Sequence, residues 1–188
     1  ANYTEDWEKW WKPTEKVELV QFMGKDNVPF HSVIFPGTLI GTGENWLLVS
    51  KLSATEYLNY GDGKFSKSRG VGVFGDNVQE TGIDSDIYRY YLLTNRPEQA
   101  DSTFTWKDFQ MKTNNELLAN LGNFINRGLK FCEKEYQGKV PPLGELEERE
   151  KILIQKINEL INDYINALEK INIKDALHTM MAISKLGN

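Results

Sequence analysis

The spacing of apolar residues changes character near residue 105, and that change limits the folds open to the chain. Before it, short strand-like runs alternate with glycine-bearing turns and short helical stretches; after it, long amphipathic periods take over. Trp106 to Lys134 carries Leu117, Leu118, Leu121, Phe124, Ile125 and Phe131 at spacings of three and four, the pattern of one long helix. YQGKVPPLGEL breaks it, Glu147 to Asn172 reads as a second long helix, and Lys174 begins a third. Such helices with short connections predict antiparallel neighbours, and the drifting apolar spacing argues against a strict-heptad coiled coil. The expected fold class is α/β followed by all-α, with domains at 1–100 and 101–188 and the boundary falling near residues 96 to 105.

Taken in order, WEKWWK (Trp7 to Lys12) followed by Pro13 reads as a core or interdomain anchor and then a break. Val17 to Met23 alternates and then turns apolar, the pattern of a strand running into a buried sheet, and Gly24-Lys25-Asp26 ends it. A carboxylate just past a strand's carboxyl end is where nucleotide ribose hydroxyls are held in open α/β sheets, which makes Asp26 a candidate. Val28 to Leu39 suits a helix with Pro29 in its first turn and a kink at Pro36; His31, amid Phe30, Val33 and Ile34, has the setting of a satisfied core side chain. Trp46 to Val49 is apolar enough for a second buried strand, and Glu56 to Tyr60 for another. Ile83 to Thr94 spells a core-facing helix, capped by Asp84 or Ser85, with Ile87, Tyr90, Tyr91 and Leu92 inward; Thr105 caps the next.

Chemistry concentrates in LNYGDGKFSKSRGVGVFG, Leu58 to Gly75, where Lys64 and Lys67 stand three apart with Ser66 and Ser68, bracketed by Gly61, Gly63, Gly70 and Gly72. Glycines let a backbone close around a polyanion, lysines supply point charges, and serines supply donors. A solvated loop would share that composition, but the order of residues is more specific. KFSKS resembles the KMSKS signature of class I aminoacyl-tRNA synthetases, and KFSKSRGVGVFG resembles its form in eukaryotic-type methionyl-tRNA synthetases. Phe65 replaces the methionine of the signature and keeps an apolar residue to anchor the loop. GKDNVPFHS, Gly24 to Ser32, is similar to the segment of those enzymes that borders adenosine and the amino acid.

The resemblance implies the rear half of a Rossmann-like nucleotide-binding domain followed by an incomplete anticodon-binding helical bundle. It assigns Lys64 and Lys67 to catalysis, and Gly24, Asp26, Lys64, Ser66 and Lys67 to ATP with its Mg2+. Phe30, His31 and Phe35 fall to the methionine pocket, with Phe35 where several relatives carry tryptophan. Asn123 and Arg127, four apart on one helical face, fall to the anticodon of tRNA(Met). The activity implied is methionine–tRNA ligation in the cytoplasm, with a multisynthetase complex reachable through regions outside this chain. The alternative is a non-catalytic tRNA-binding or assembly module derived from a class I synthetase.

A formal charge of −5 argues against a surface that coats nucleic acid, so RNA contact must rest on local patches. The single cysteine, Cys132, excludes an internal disulfide and a cysteine-based zinc knuckle, and no metal ligand set is expected. No run of about 18 apolar residues suggests a transmembrane helix, and the N-terminal sequence lacks the form of a signal peptide. The chain starts without methionine, ends in a helical pattern, and has no HxGH string, with His31 and His178 standing alone. It therefore reads as a piece of a longer enzyme, inactive by itself.

Overall fold

A computed structural model describes residues 6–12 and 16–188; Pro13, read as a break, lies outside the described residues. The chain forms two compact units, residues 1–58 with 97–102 and residues 59–96 with 103–188. Strands, tight turns and helices mix in the front of the sequence, and helices dominate after residue 105. No helix among the described residues is long and apolar enough to cross a membrane.

In the first unit, α1 (Glu8–Trp11) precedes β1 (Val20–Gly24), which pairs in parallel with β2 (Lys51–Thr55) in the register Val20 to Lys51 through Gly24 to Thr55. The tryptophan cluster packs locally: Trp7 stacks on Trp46 at 6.0 Å, Trp11 meets Phe35 edge-on at 6.4 Å, and the Lys12 ammonium lies 4.4 Å over the Trp46 ring. Two expectations need correction. The second strand is Lys51–Thr55, not Trp46–Val49, which runs as irregular chain with Leu47 N–H donating to the Trp11 carbonyl. Phe22 in β1 is 58% exposed, since a sheet of two strands with only short helices beside it has too little surface to enclose its residues. Ahead of Pro36 the chain widens into a π turn at Phe30–Ile34 and continues as α2 (Phe35–Gly41), an arrangement that accommodates a residue with no N–H to donate.

In the second unit, β3 (Leu58–Tyr60) and β4 (Gly63–Lys64) form a tight antiparallel hairpin with Asn59 opposite Lys64 and Tyr60 opposite Gly63. Gly61 makes the reversal at a φ of 54°, a conformation glycine adopts without a Cβ penalty. Next come α3 (Gly75–Val78) and α4 (Ser85–Thr94), and then β5 (Ser102–Phe104), which places β3 between β4 and β5. Of the two candidates, Asp84 caps α4 by accepting from the Asp86 N–H at 2.8 Å, and Thr105, as expected, caps the next helix by accepting from the Asp108 N–H at 3.1 Å. The buried side of α4 is Tyr88, Tyr90, Tyr91 and Thr94; Leu92, expected inward, is 40% exposed.

The long helix is α5 (Trp106–Lys112), a π stretch Thr113–Gly122, and α6 (Asn123–Tyr136) in one continuous run. The π stretch departs from the regular helix its periodicity predicts, and Leu118, Ile125 and Phe131, expected in the core, are each about half exposed or more. α7 (Glu148–Glu169) and α8 (Ile173–Gly187) pack on each other across a three-residue link. Ser184, buried on α8, donates to the Asn120 amide oxygen at 3.0 Å while the Asn120 amide donates to the Met181 carbonyl at 3.0 Å, fixing α8 against the π stretch.

The core of this unit is aromatic. Tyr91 is 1% exposed, in ring contact with Phe104 at 5.4 Å and Phe109 at 5.1 Å; Tyr88 stacks on Phe109 at 4.9 Å. Two of the buried phenols end on carboxylates: Tyr91 donates to Asp108 at 2.7 Å and Tyr90 to Glu116 at 2.5 Å. Burial first, and then these carboxylate bonds, push both phenols well above the usual tyrosine range.

Candidate functional site

The residues singled out for chemistry fall in both units: Gly24, Asp26, Phe30, His31 and Phe35 in the first, and Lys64, Ser66, Lys67, Asn123 and Arg127 in the second.

In the first unit β1 ends at Gly24, and Lys25–Asn27 makes a single 3₁₀ turn, which brings Asp26 off the carboxyl end of a parallel strand. This carboxylate accepts a hydrogen bond from the Tyr57 hydroxyl. Lys25 forms an ion pair with Glu56, lies 3.7 Å from an Asp101 carboxylate oxygen, and sits 4.3 Å above the Tyr57 ring. The bond to Glu56 holds the Lys25 ammonium above its ordinary range, and the bond to Asp26 raises the Tyr57 phenol. On the helix that follows, Phe30 is 56% exposed and Phe35 is half-buried against Trp11. His31 is half-buried, with Nδ1 at 2.9 Å from Gln21 Oε1, the geometry of a ring N–H donating to the amide oxygen. Its polar edge is therefore partnered, as the core reading expects.

In the second unit the lysine loop has a fixed backbone. Ser66 and Val71 exchange both backbone hydrogen bonds, at 2.8 and 3.0 Å, Lys67–Arg69 makes a 3₁₀ turn between them, and Gly70 turns the chain at a φ of 63°. Phe65 points inward to Tyr60 at 5.2 Å and Phe74 at 6.0 Å, and Tyr60 stacks on Phe104 at 5.9 Å. The loop is thus tied to the aromatic core through Phe65, the anchoring role expected of an apolar residue there. Gly72 is required by the same contact: at its φ of 131° a Cβ would lie 2.3 Å from the Phe65 ring.

With Phe65 turned in, the adjacent Ser66 is half-buried and the lysines on either side lie at the surface. Lys64 is exposed on β4, and Lys67 is 80% exposed, its ammonium 3.7 Å from the Asp76 carboxylate. The Ser66 hydroxyl lies 3.4 Å from that of Ser68 and accepts from Arg69 Nε at 3.4 Å. Such a frame can present cations to a polyanion while its backbone donors stay bonded within the loop.

On α6, Asn123 and Arg127 are both exposed. Arg127 lines a cavity of about 300 Å³ together with Phe124, Gly128, Phe131, Gly187 and Asn188; Asn123 does not line it.

A family model described as tRNA synthetases class I (M) matches residues 1–129. The chain belongs to this class I tRNA synthetase family. Over its full length the synthetase chain is 56% identical to the "Probable methionine–tRNA ligase, cytoplasmic" of Dictyostelium discoideum, covering 26% of that protein. It is 55% identical to the "Methionine–tRNA ligase, cytoplasmic" of Homo sapiens, again over all of this chain and 21% of the relative. The chain thus spans about a quarter of the length of the curated relatives it matches. Among solved structures it is similar to Mycobacterium tuberculosis methionyl-tRNA synthetase in complex with methionyl-adenylate, at a TM-score of 0.78 and 25% identity, over 89% of this chain and 32% of that one. This likeness fits a fold of mixed strands and helices that gives way to helices.

Sequence reasoning missed Lys25, Tyr57 and Asp76. Tyr57 and Asp26 are 31 positions apart, and neither residue's neighbours announce the other. Asp76 alone carried a readable sign, as an acidic residue opening a helix directly after the lysine loop.

Proposed function

We propose that this synthetase segment is the rear half of a Rossmann-like catalytic domain, residues 1–100, and the start of an anticodon-binding helical bundle, residues 101–188, of a cytoplasmic methionine–tRNA ligase. The parent enzyme activates methionine with ATP and transfers the methionyl group to the ribose of tRNA(Met). The observation that carries this reading is Lys67, 80% exposed, on a loop whose backbone is closed and anchored and which carries Lys64 at its surface three residues earlier.

In the first step the methionine carboxylate attacks the α-phosphate of ATP and pyrophosphate leaves, so no protein nucleophile is needed. The protein aligns the reactants and stabilises charge as it develops on the phosphates. ATP arrives with Mg2+, which supplies further charge neutralisation. Lys67 is the principal charge donor, Lys64 the second, and Ser66 a hydroxyl donor. Gly24 lets the nucleotide approach the backbone after β1, and Asp26 accepts from a ribose hydroxyl. Phe30, His31 and Phe35 shape the methionine side, where an uncharged thioether is selected by aromatic walls. Asn123 and Arg127 meet anticodon bases, whose edges an amide and a guanidinium can read.

The test uses the full-length ligase that carries this segment. Lys67→Ala should slow methionine-dependent ATP–pyrophosphate exchange by about a hundredfold or more, the scale of losing one charge-stabilising donor. A rate within about twofold of wild type would remove Lys67 from the role. Arg127→Ala should leave exchange unchanged, because no tRNA takes part in it, and lower kcat/KM for tRNA by about fivefold to hundredfold. Equal losses on a tRNA with a changed anticodon would show that Arg127 reads no base.

A further inference from the structure

The carboxylate of Asp26 does not stand alone, and what holds it is a residue with no assigned part in the reaction. An ionised carboxylate has two oxygens and accepts through both. The Tyr57 hydroxyl occupies Oδ2, which leaves Oδ1 to meet an incoming hydroxyl. The tyrosine is itself held at its backbone and covered on its ring by a cation. Its backbone N–H donates to Asp101 Oδ1 at 3.0 Å, and its carbonyl accepts from the Ser102 N–H at 2.9 Å. The neighbouring Glu56 N–H donates to the Pro97 carbonyl at 2.8 Å, so both peptide units ahead of β3 are tied to the 97–102 strand of chain. The Lys25 ammonium lies 4.3 Å over the ring and is held there by Glu56 and Asp101. Backbone bonds thus hold the residue at one end, a cation lies over its ring, and the hydroxyl ends on the carboxylate.

We propose that Tyr57 is a positioning residue: it orients the Asp26 carboxylate so that its second oxygen is directed to a ribose hydroxyl of ATP. This rests on the reading of Asp26 as the ribose contact, and it adds the residue that sets the geometry of that contact. A preset acceptor loses less freedom when the nucleotide arrives than a carboxylate that must first be oriented, so the hydroxyl strengthens nucleotide binding without touching the nucleotide. The phenol keeps its proton throughout, as a donor must, and the Asp26 bond itself favours the protonated form.

The experiment measures equilibrium binding of ATP and of 2′,3′-dideoxy-ATP, together with KM values in methionine-dependent pyrophosphate exchange. It compares the full-length ligase with its Tyr57→Phe and Asp26→Ala variants. Phenylalanine keeps the ring under Lys25 and removes only the hydroxyl. The expected result is a three- to tenfold rise in Kd and KM for ATP in Tyr57→Phe, about the scale of losing one hydrogen bond to an exposed carboxylate. KM for methionine and kcat should stay within about twofold, and dideoxy-ATP should bind wild type and variant alike. Asp26→Ala should raise Kd for ATP at least as much and again spare dideoxy-ATP. If Asp26→Ala weakens ATP selectively while Tyr57→Phe does not, the positioning role is overturned and the ribose contact stands. If Tyr57→Phe weakens both nucleotides equally, the tyrosine acts through packing and the proposal fails. If Asp26→Ala leaves ATP binding unchanged, the ribose reading falls and takes the proposal with it.

Discussion

The turn after β1 and the loop after β4 both carry charge, and they treat it in opposite ways. In the turn, Lys25 is matched to Glu56 and Asp101, and Asp26 is held by Tyr57, so the charged groups are ordered by side-chain partners. In the loop, order comes from the backbone pair of Ser66 and Val71 and from the buried edge of Phe65, while Lys67 reaches into water with one distant carboxylate at 3.7 Å. The difference separates two kinds of preorganisation. A group that recognises a neutral hydroxyl gains from being fixed, because one weak contact cannot repay much lost freedom. A group that must follow charge onto a departing pyrophosphate gains from a fixed base and a free tip.

The comparison can be broken at the loop's foundation first. Phe104 is 4% exposed and meets Tyr60, Tyr91, Trp106 and Phe109, so Phe104→Ala should cost about 3–5 kcal/mol in the second unit. Hydrogen exchange should show lost protection in α4 and α5 while amides of β1 and β2 keep theirs; equal losses in both units would merge the two regions. A smaller effect is expected at Gly72, where a methyl group meets the Phe65 ring at 2.3 Å. Gly72→Ala should cost about 1–3 kcal/mol of loop order, seen as roughly tenfold slower pyrophosphate exchange with methionine binding unchanged. An exchange rate equal to wild type would mean that the loop frame does not matter to its lysines. The smallest effect belongs to Asp76. An ion pair between groups this exposed is weak, so Asp76→Asn should change exchange by less than about fivefold, in the direction of a faster rate, and the change should shrink as salt rises. A large loss would instead make Asp76 part of the machinery.

Much of this arrangement is legible in the chain because its causes are local. Thr105, and either Asp84 or Ser85, read as caps from the residues just after them, Phe65 reads as an anchor because it stands where the family signature has methionine, and the three-four spacing marks the long helices. What escapes depends on distance or on degenerate patterns. β2 was expected at Trp46–Val49 because apolar runs suggest buried strands, yet the chain pairs through the half-exposed Lys51–Thr55, whose register only β1 supplies. The π stretches at Phe30–Ile34 and Thr113–Gly122 share the apolar spacing of an ordinary helix over a few residues, so periodicity cannot separate them. β5 is three residues long and has meaning only beside β3. The Tyr57–Asp26 bond spans 31 positions and leaves no mark in either neighbourhood.

The most direct test of the division between turn and loop is single-turnover formation of methionyl-adenylate as a function of ATP concentration, in the full-length ligase and its Asp26→Ala and Lys67→Ala variants. The account predicts that Asp26→Ala raises the half-saturating ATP concentration about tenfold and keeps the maximal rate within about threefold, whereas Lys67→Ala lowers the maximal rate about a hundredfold with half-saturation little moved. A Lys67→Ala enzyme that regains the wild-type rate at saturating ATP would contradict it, since the lysine would then only bind the nucleotide and the contrast between the two regions would vanish.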